Sequence, residues 1–180
     1  MSLLSYIELC ELVEQGVITG VQPSDINAAS IDVRLGRDIV VEEYTDHRVR
    51  PIDIHKREVF PSRKITVDTH YDMQPGEFIL AHTENQFNLP DNICAEFKLK
   101  SSGARTGLEN ALATWCDCGW HGSTLTLELK NLLRYSSLRL TPGMFIGQMI
   151  FYKVTEVPKE RSYSTVGRYN NDLSVQTVKL

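Results

Sequence analysis

The sequence predicts an all-β fold, a sandwich or closed barrel of short strands opened by one short helix. Three observations predict it. Apolar and polar residues alternate in several runs with the period of two that a half-buried strand requires. Turn signals separate those runs at Leu35-Gly36, Pro75-Gly76, Leu89-Pro90-Asp91-Asn92 and Pro142-Gly143. A helical pattern stands at the start of the chain and is not repeated.

That helix is signalled by Ser5-Tyr6-Ile7-Glu8, which fits a capping box, with Leu4 and Leu9 placed as a hydrophobic staple. Ile7, Cys10 and Val13 are expected to form its apolar stripe, and Gly16 its end. Strands are expected at residues 31–35, 78–81, 93–99, 123–129 and 144–152. In the third, Ala95, Phe97 and Leu99 alternate with Glu96, Lys98 and Lys100. In the fourth, Leu125, Leu127 and Leu129 alternate with Thr124, Thr126, Glu128 and Lys130. Pro75-Gly76 and Pro142-Gly143 each lead into an apolar strand. The polar stretch from Pro158 onward reads, taken alone, as a mobile tail. The organisation expected is a single domain over residues 1–180, with a tail over about residues 158–180.

Composition narrows the function. The formal net charge is -4 and the pI about 5.7, against the basic excess usual in nucleic-acid binders. A small cationic pocket for a phosphate group stays compatible with it. The N-terminal stretch lacks a basic segment, and no apolar run approaches the ~18 residues of a membrane span. The four cysteines (Cys10, Cys94, Cys116, Cys118) do not have the spacing of a disulfide framework, so a reducing cytoplasm is expected.

Chemistry can sit in three places. Lys98-Leu99-Lys100-Ser101-Ser102-Gly103-Ala104-Arg105 ends a strand in hydroxyls, a glycine and cations, which suits a phosphate cradle or a solvated turn. It is not a Walker loop. Glu128, between two leucines, faces away from the core, towards solvent or a pocket. Cys116-Asp117-Cys118 with His121, and His82-Thr83-Glu84, suggest zinc. The zinc deaminase signature also needs P-C-x-x-C, which is missing, so no metal ligands are assigned. His47, His55 and His70 are scattered and expected at the surface.

The order of segments says more than any one of them. INAASIDVRLGRDI, MQPGEFILAHTENQFNLPDNICAEFKLKSSGARTGL, DCGWHGSTLTLELKN and LTPGMFIGQMIF together closely resemble the dCTP deaminase family, over about residues 27–151. The resemblance implies a distorted β-barrel or jelly-roll of the dUTPase-like type, assembled as a homotrimer with active sites between subunits. It implies hydrolytic deamination of dCTP to dUTP and ammonia without zinc, with magnesium bound through the nucleotide phosphates. The product would supply thymidylate synthesis, and some members go on to dUMP.

The same resemblance implies residue roles. Glu128 would be the proton-transferring carboxylate, and Ser101 with the backbone carbonyl near Ala113 would hold the water. Arg105 would orient Glu128, while Lys100, Ser101, Ser102 and Arg105 would meet the phosphates. Asp117 would take the sugar 3′-hydroxyl, with Trp120 beneath the sugar. Tyr163, Arg168, Tyr169 and Asp172 belong to the tail that folds over the nucleotide. Three positions depart from the family pattern: Asn110, Leu112 and Trp115. An aromatic residue such as Trp115 leans the reading towards combined deaminase and dUTPase activity. Asn110 and Leu112 leave open a different cytosine nucleotide (dCMP or 5-methyl-dCTP), or a non-catalytic nucleotide-sensing trimer. Asp172, where an amide is common, bears on base or phosphate recognition.

Overall fold

A computed structural model describes residues 1–44, 51–111 and 113–179. Leu112 and His47, singled out above, lie outside these residues. The chain opens with β1 (Ser2–Leu3) and α1 (Tyr6–Glu14), then β2 (Ile31–Arg34), β3 (Asp38–Glu42), β4 (Ser62–Thr66) and β5 (Tyr71–Met73). There follow β6 (Phe78–Asn88), β7 (Ile93–Leu99), α2 (Ser101–Arg105), β8 (Leu108–Asn110) and β9 (Trp115–Cys116). The last elements are β10 (His121–Asn131), β11 (Leu138–Leu140), β12 (Phe145–Lys153) and α3 (Tyr163–Val166).

The all-β expectation holds. One five-stranded sheet runs β1-β12-β7-β9, with β2 also paired to β12; a second runs β4-β3-β6-β10-β8; β11 and β5 pair separately. The two large sheets share one core. Ile31, Val33, Ala95, Phe97, Met149 and Phe151 enter it from the first, and Ile39, Val41, Ile79, Ala81, Leu127 and Leu129 from the second. Burying one such side chain is worth about 1.5–3 kcal/mol, so the alternation along β7 and β10 fixes which face points inward.

α1 starts as its sequence predicts: the Ser5 N–H donates to Glu8 Oε2 at 2.9 Å, and Leu4 and Leu9 are buried. Its apolar stripe differs from the expectation. Leu9 and Leu12 are its buried residues, whereas Ile7 is 71% exposed. At about 100° per residue, Ile7 lies about 200° from Leu9, so the staple turns it to solvent. Gly16 follows the helix in a left-handed conformation, φ 73°.

β2 is buried on both faces, Asp32 included, where the alternation predicts one wet face. β6 and β10 are longer than their apolar runs predict. Bulges at residues 121–123 and 124–126 of β10 let the pairing with β6 continue. The strands missed by pattern (β1, β3, β4, β5, β8, β9 and β11) are short. No helix among the described residues is long and apolar enough to cross a membrane.

The C-terminal segment, expected to be mobile, is docked. It runs beside β10: the Thr124 N–H donates to the Asp172 carbonyl at 2.8 Å, and the Gln176 N–H to Thr126 Oγ1 at 3.2 Å. Val175 packs with Val40 and Leu80 in a second small core on the outer face of the second sheet. Ser174 donates to Asp38 at 2.6 Å. The tail's polar groups thus find backbone and carboxylate partners that the linear sequence cannot display.

Candidate active site

Glu128 organises the site. Its backbone is held on both sides, paired with Leu80 on β6 and accepting the Ala111 N–H at 2.9 Å. Leu127 and Leu129 point into the core, so the Glu128 side chain emerges on the outer face beneath the tail. There it lines a cavity of about 510 Å³. Its Oε2 is buried without a hydrogen-bond partner among the described residues. Burial pushes its pKa up to about 7, because a carboxylate loses hydration there and gains no cation in exchange. A carboxyl poised near neutrality can accept a proton and return it.

Of the residues singled out from sequence, Ala113, Trp115, Asp117, Trp120, Tyr163, Tyr169 and Asp172 join Glu128 around this cavity. Trp120 stacks on Phe87 at 5.3 Å and donates its indole N–H to the Tyr169 carbonyl at 2.7 Å. It therefore joins the core to the tail. The Tyr163 N–H donates to the Cys118 carbonyl at 2.9 Å, which brings α3 against the loop that carries Asp117. Gly119 and Gly122 both have left-handed backbones, at φ 85° and 66°. A Cβ on Gly119 would meet Ser162 Oγ at 2.1 Å, and one on Gly122 would meet Asn171 Oδ1 at 2.4 Å. These two glycines of the D-x-G-W-x-G segment give the tail its room.

Lys100, Ser101, Ser102, Arg105 and Arg168 stand apart from the cavity lining. Lys100 forms an ion pair with Asp32 and lies 5.3 Å from the Phe145 ring, on whose face Arg34 sits at 4.1 Å. Ser101, Ser102 and Arg105 are exposed on α2. Their expected cradle is thus a short helix at the end of β7, outside the cavity that Glu128 lines. Arg168 is exposed, and its carbonyl accepts from Lys179 Nζ at 3.1 Å.

Residues that sequence reading missed also line the cavity. Thr124 and Thr126 share the outward register of Glu128, a signal the alternation did carry. Phe78, Leu80, Arg57, Glu58 and Gln176 had no such signal. Asn110 is buried on β8, opposite Leu129, with Oδ1 unpartnered among the described residues, so its side chain belongs to the core face and not to the cavity.

The cysteine and histidine segments have other surroundings. The Cys116 thiol is buried, and burial pushes its pKa above the ordinary thiol range. Cys94 Sγ donates to the Tyr152 carbonyl at 3.8 Å, and burial pushes the pKa values of the Cys94 and Cys118 thiols up. His121 Nδ1 lies 2.9 Å from the Gly119 carbonyl. His82 Nε2 accepts the Asp38 N–H at 3.3 Å, its Nδ1 is buried without a partner among the described residues, and burial lowers its pKa through lost hydration. Among the described residues no three His, Cys, Asp or Glu side chains are grouped as a metal site. His55 and His70 are exposed, as expected.

The likenesses of this chain to known proteins agree with the motif reading. The chain is 32% identical over 157 residues to a protein of Hydrogenobaculum sp. named dCTP deaminase, dUMP-forming, spanning 87% of this chain and 82% of that one. A protein of the same name from Aquifex aeolicus is 34% identical, over 96% of this chain and 92% of its own. One from Methanospirillum hungatei is 36% identical, over 81% and 78%. In structure, the fold is similar to 2′-deoxycytidine 5′-triphosphate deaminase from Agrobacterium tumefaciens, with a TM-score of 0.64 at 19% identity. That match covers 83% of this chain and 48% of the other, so this chain spans about half its length. The family described as dCTP deaminase-like matches residues 3–154, and the chain belongs to it.

Proposed function

We propose that the protein hydrolytically deaminates a deoxycytidine nucleotide, dCTP in the first place. The observation that carries this is Glu128: a buried carboxyl with a pKa raised to about 7 and a free oxygen, facing a cavity that Ala113, Asp117 and Trp120 also line. Glu128 takes a proton from a water held near the Ala113 carbonyl. The hydroxide adds to C4 of cytosine, and Glu128 delivers that proton to N3. It then carries the proton that the departing amine needs, so dCTP and water give dUTP and ammonia. Asp117 receives the sugar 3′-hydroxyl and Trp120 packs against the sugar.

The phosphate-binding residues come from a second copy of the chain. Among the described residues, Ser101, Ser102 and Arg105 are exposed and make no side-chain hydrogen bond, and Glu128 Oε2 has no partner. A homotrimer, in which each α2 serves a neighbour's cavity, satisfies both sets. Arg105 then orients Glu128, and Ser101 completes the water site. Magnesium arrives on the triphosphate as part of the substrate.

A second reading extends the first: the same site hydrolyses dUTP to dUMP and pyrophosphate. It is favoured by the relatives' names and by Trp115 at the position where an arginine marks many strict deaminases. Incubation with dCTP, dCMP, 5-methyl-dCTP and dUTP, followed by chromatography of the products, tests both. dUTP from dCTP supports the first reading, and dUMP from dCTP and from dUTP the second. No product from any cytosine nucleotide overturns both.

A further inference from the structure

Trp115 does more than occupy the cavity wall. Its indole N–H donates to Asp117 Oδ1 at 2.8 Å. An indole has this one polar hydrogen and no acceptor, so the bond fixes the direction of the ring. The ring plane is held from outside as well. It stacks on Tyr152 of β12 at 6.2 Å, with 29° between the planes, and Tyr152 OH donates to Glu96 Oε2 at 3.4 Å. Glu96 pairs with Trp115 across β7 and β9 and forms an ion pair with Lys98. A chain of contacts therefore runs from the sheet through Tyr152 and Trp115 to the carboxylate.

Asp117 itself needs such support. It is exposed, in a short loop between β9 and β10, and a carboxylate there rotates freely unless something holds it. Its backbone is fixed, since its carbonyl accepts the Trp120 N–H at 3.2 Å. The Trp115 bond is the side-chain restraint, and it leaves Oδ2 without a hydrogen bond among the described residues.

We propose that Trp115 is a positioning residue, whose indole N–H holds the Asp117 carboxylate so that Oδ2 is ready for the 3′-hydroxyl of a deoxynucleotide. Through this it sets discrimination against nucleotides that lack the hydroxyl. The proposal rests on the reading of Asp117 given above. Holding an acceptor in place before binding removes the ordering cost that binding would otherwise bear.

The test compares wild type, Trp115→Phe, Asp117→Ala and the double variant. Each is assayed for kcat/KM on dCTP and on 2′,3′-dideoxycytidine triphosphate. Trp115→Phe keeps an aromatic ring on Tyr152 but removes the N–H. It should lower the ratio of the two kcat/KM values about five- to thirtyfold, mainly through KM for dCTP, and add nothing further once Asp117 is alanine. An equal loss on both nucleotides would show that Trp115 is only a packing surface and overturn the proposal. The ligand-free protein gives an independent reading: the Trp115 indole N–H resonance, assigned with Trp115→Phe, should move upfield and exchange faster in Asp117→Ala. An unmoved resonance would overturn the hydrogen bond itself. If wild type neither binds nor converts dCTP, the functional reading fails and takes the discrimination role with it. A shifted indole signal would then place the error in the function and not in the pair.

Discussion

Asp172 and Lys179, seven residues apart, close the end of the tail on itself. Lys179 Nζ stands 2.6 and 2.7 Å from the two carboxylate oxygens and 5.3 Å from the Tyr169 ring centroid. The Lys179 N–H also donates to the Tyr169 hydroxyl at 3.1 Å. A partly exposed pair of this kind contributes about 0.5–1 kcal/mol. Asp172→Ala should therefore open the tail about two- to fivefold more often. Limited trypsin digestion, followed by mass spectrometry of cleavage after the exposed Arg168, reads this directly. An unchanged cleavage rate would mean that Val175 and the bonds to β10 hold the tail without the pair.

Glu128→Gln should bind nucleotide with little change and lose at least ~10²-fold in turnover, the usual scale for a positioned proton-transfer group. The amide keeps the shape of the side chain but cannot shuttle the proton. Calorimetric binding and steady-state deamination measured on one preparation separate the two effects. Turnover near the wild-type rate would remove Glu128 from the chemistry.

The raised pKa of Glu128 also makes a stability prediction. Its folded value of about 7 lies above the ordinary 4.5, so the folded protein holds the proton more tightly than the unfolded chain. The neutral carboxyl's contribution is fully present below about pH 4.5 and is lost as pH rises through about 7. Glu128→Gln should match wild type in thermal midpoint near pH 4.5 and exceed it at pH 8. The gain, after allowance for partial solvent access, is about 1–3 kcal/mol. Equal midpoints at both pH values would show that the carboxyl is hydrated.

Activity should follow the same group from the other side. A base must be ionised to take the proton from water, so kcat/KM for deamination should fall as pH drops below about 7. The limb should vanish from the residual activity of Glu128→Gln. A limb centred near 4.5 in wild type would show that the carboxyl is not desolvated in the working enzyme.

Subunit mixing tests the shared site. Glu128→Gln and Arg105→Ala proteins should each be nearly inactive, and exchange of their subunits should restore a fraction of activity. A hybrid assembly can hold one cavity with an intact Glu128 facing an intact Arg105. Mass spectrometry confirms exchange, and its occurrence without recovered activity would place both residues in a site within one chain.

The sequence by itself determined the fold class, the strands whose two faces differ in polarity, and the outward register of Glu128. Leu127 and Leu129 must go inward to escape water, so their neighbour must go out. It also determined the family, because the motif segments keep their order. Tertiary structure decided the rest, where the controlling partner is far along the chain or the pattern is weak. The polar edge strand β4 carries little apolar signal, so pattern does not find it. Ile7 is as apolar as Leu9, and only the direction of α1 against the sheets leaves it in solvent. The polar tail takes its order from Ser123, Thr124, Thr126 and Asp38, none of which its own composition can show. The raised pKa of Glu128 comes from the cavity that the tail helps to wall, and lost hydration is a property of enclosed space that no local run of residues encodes.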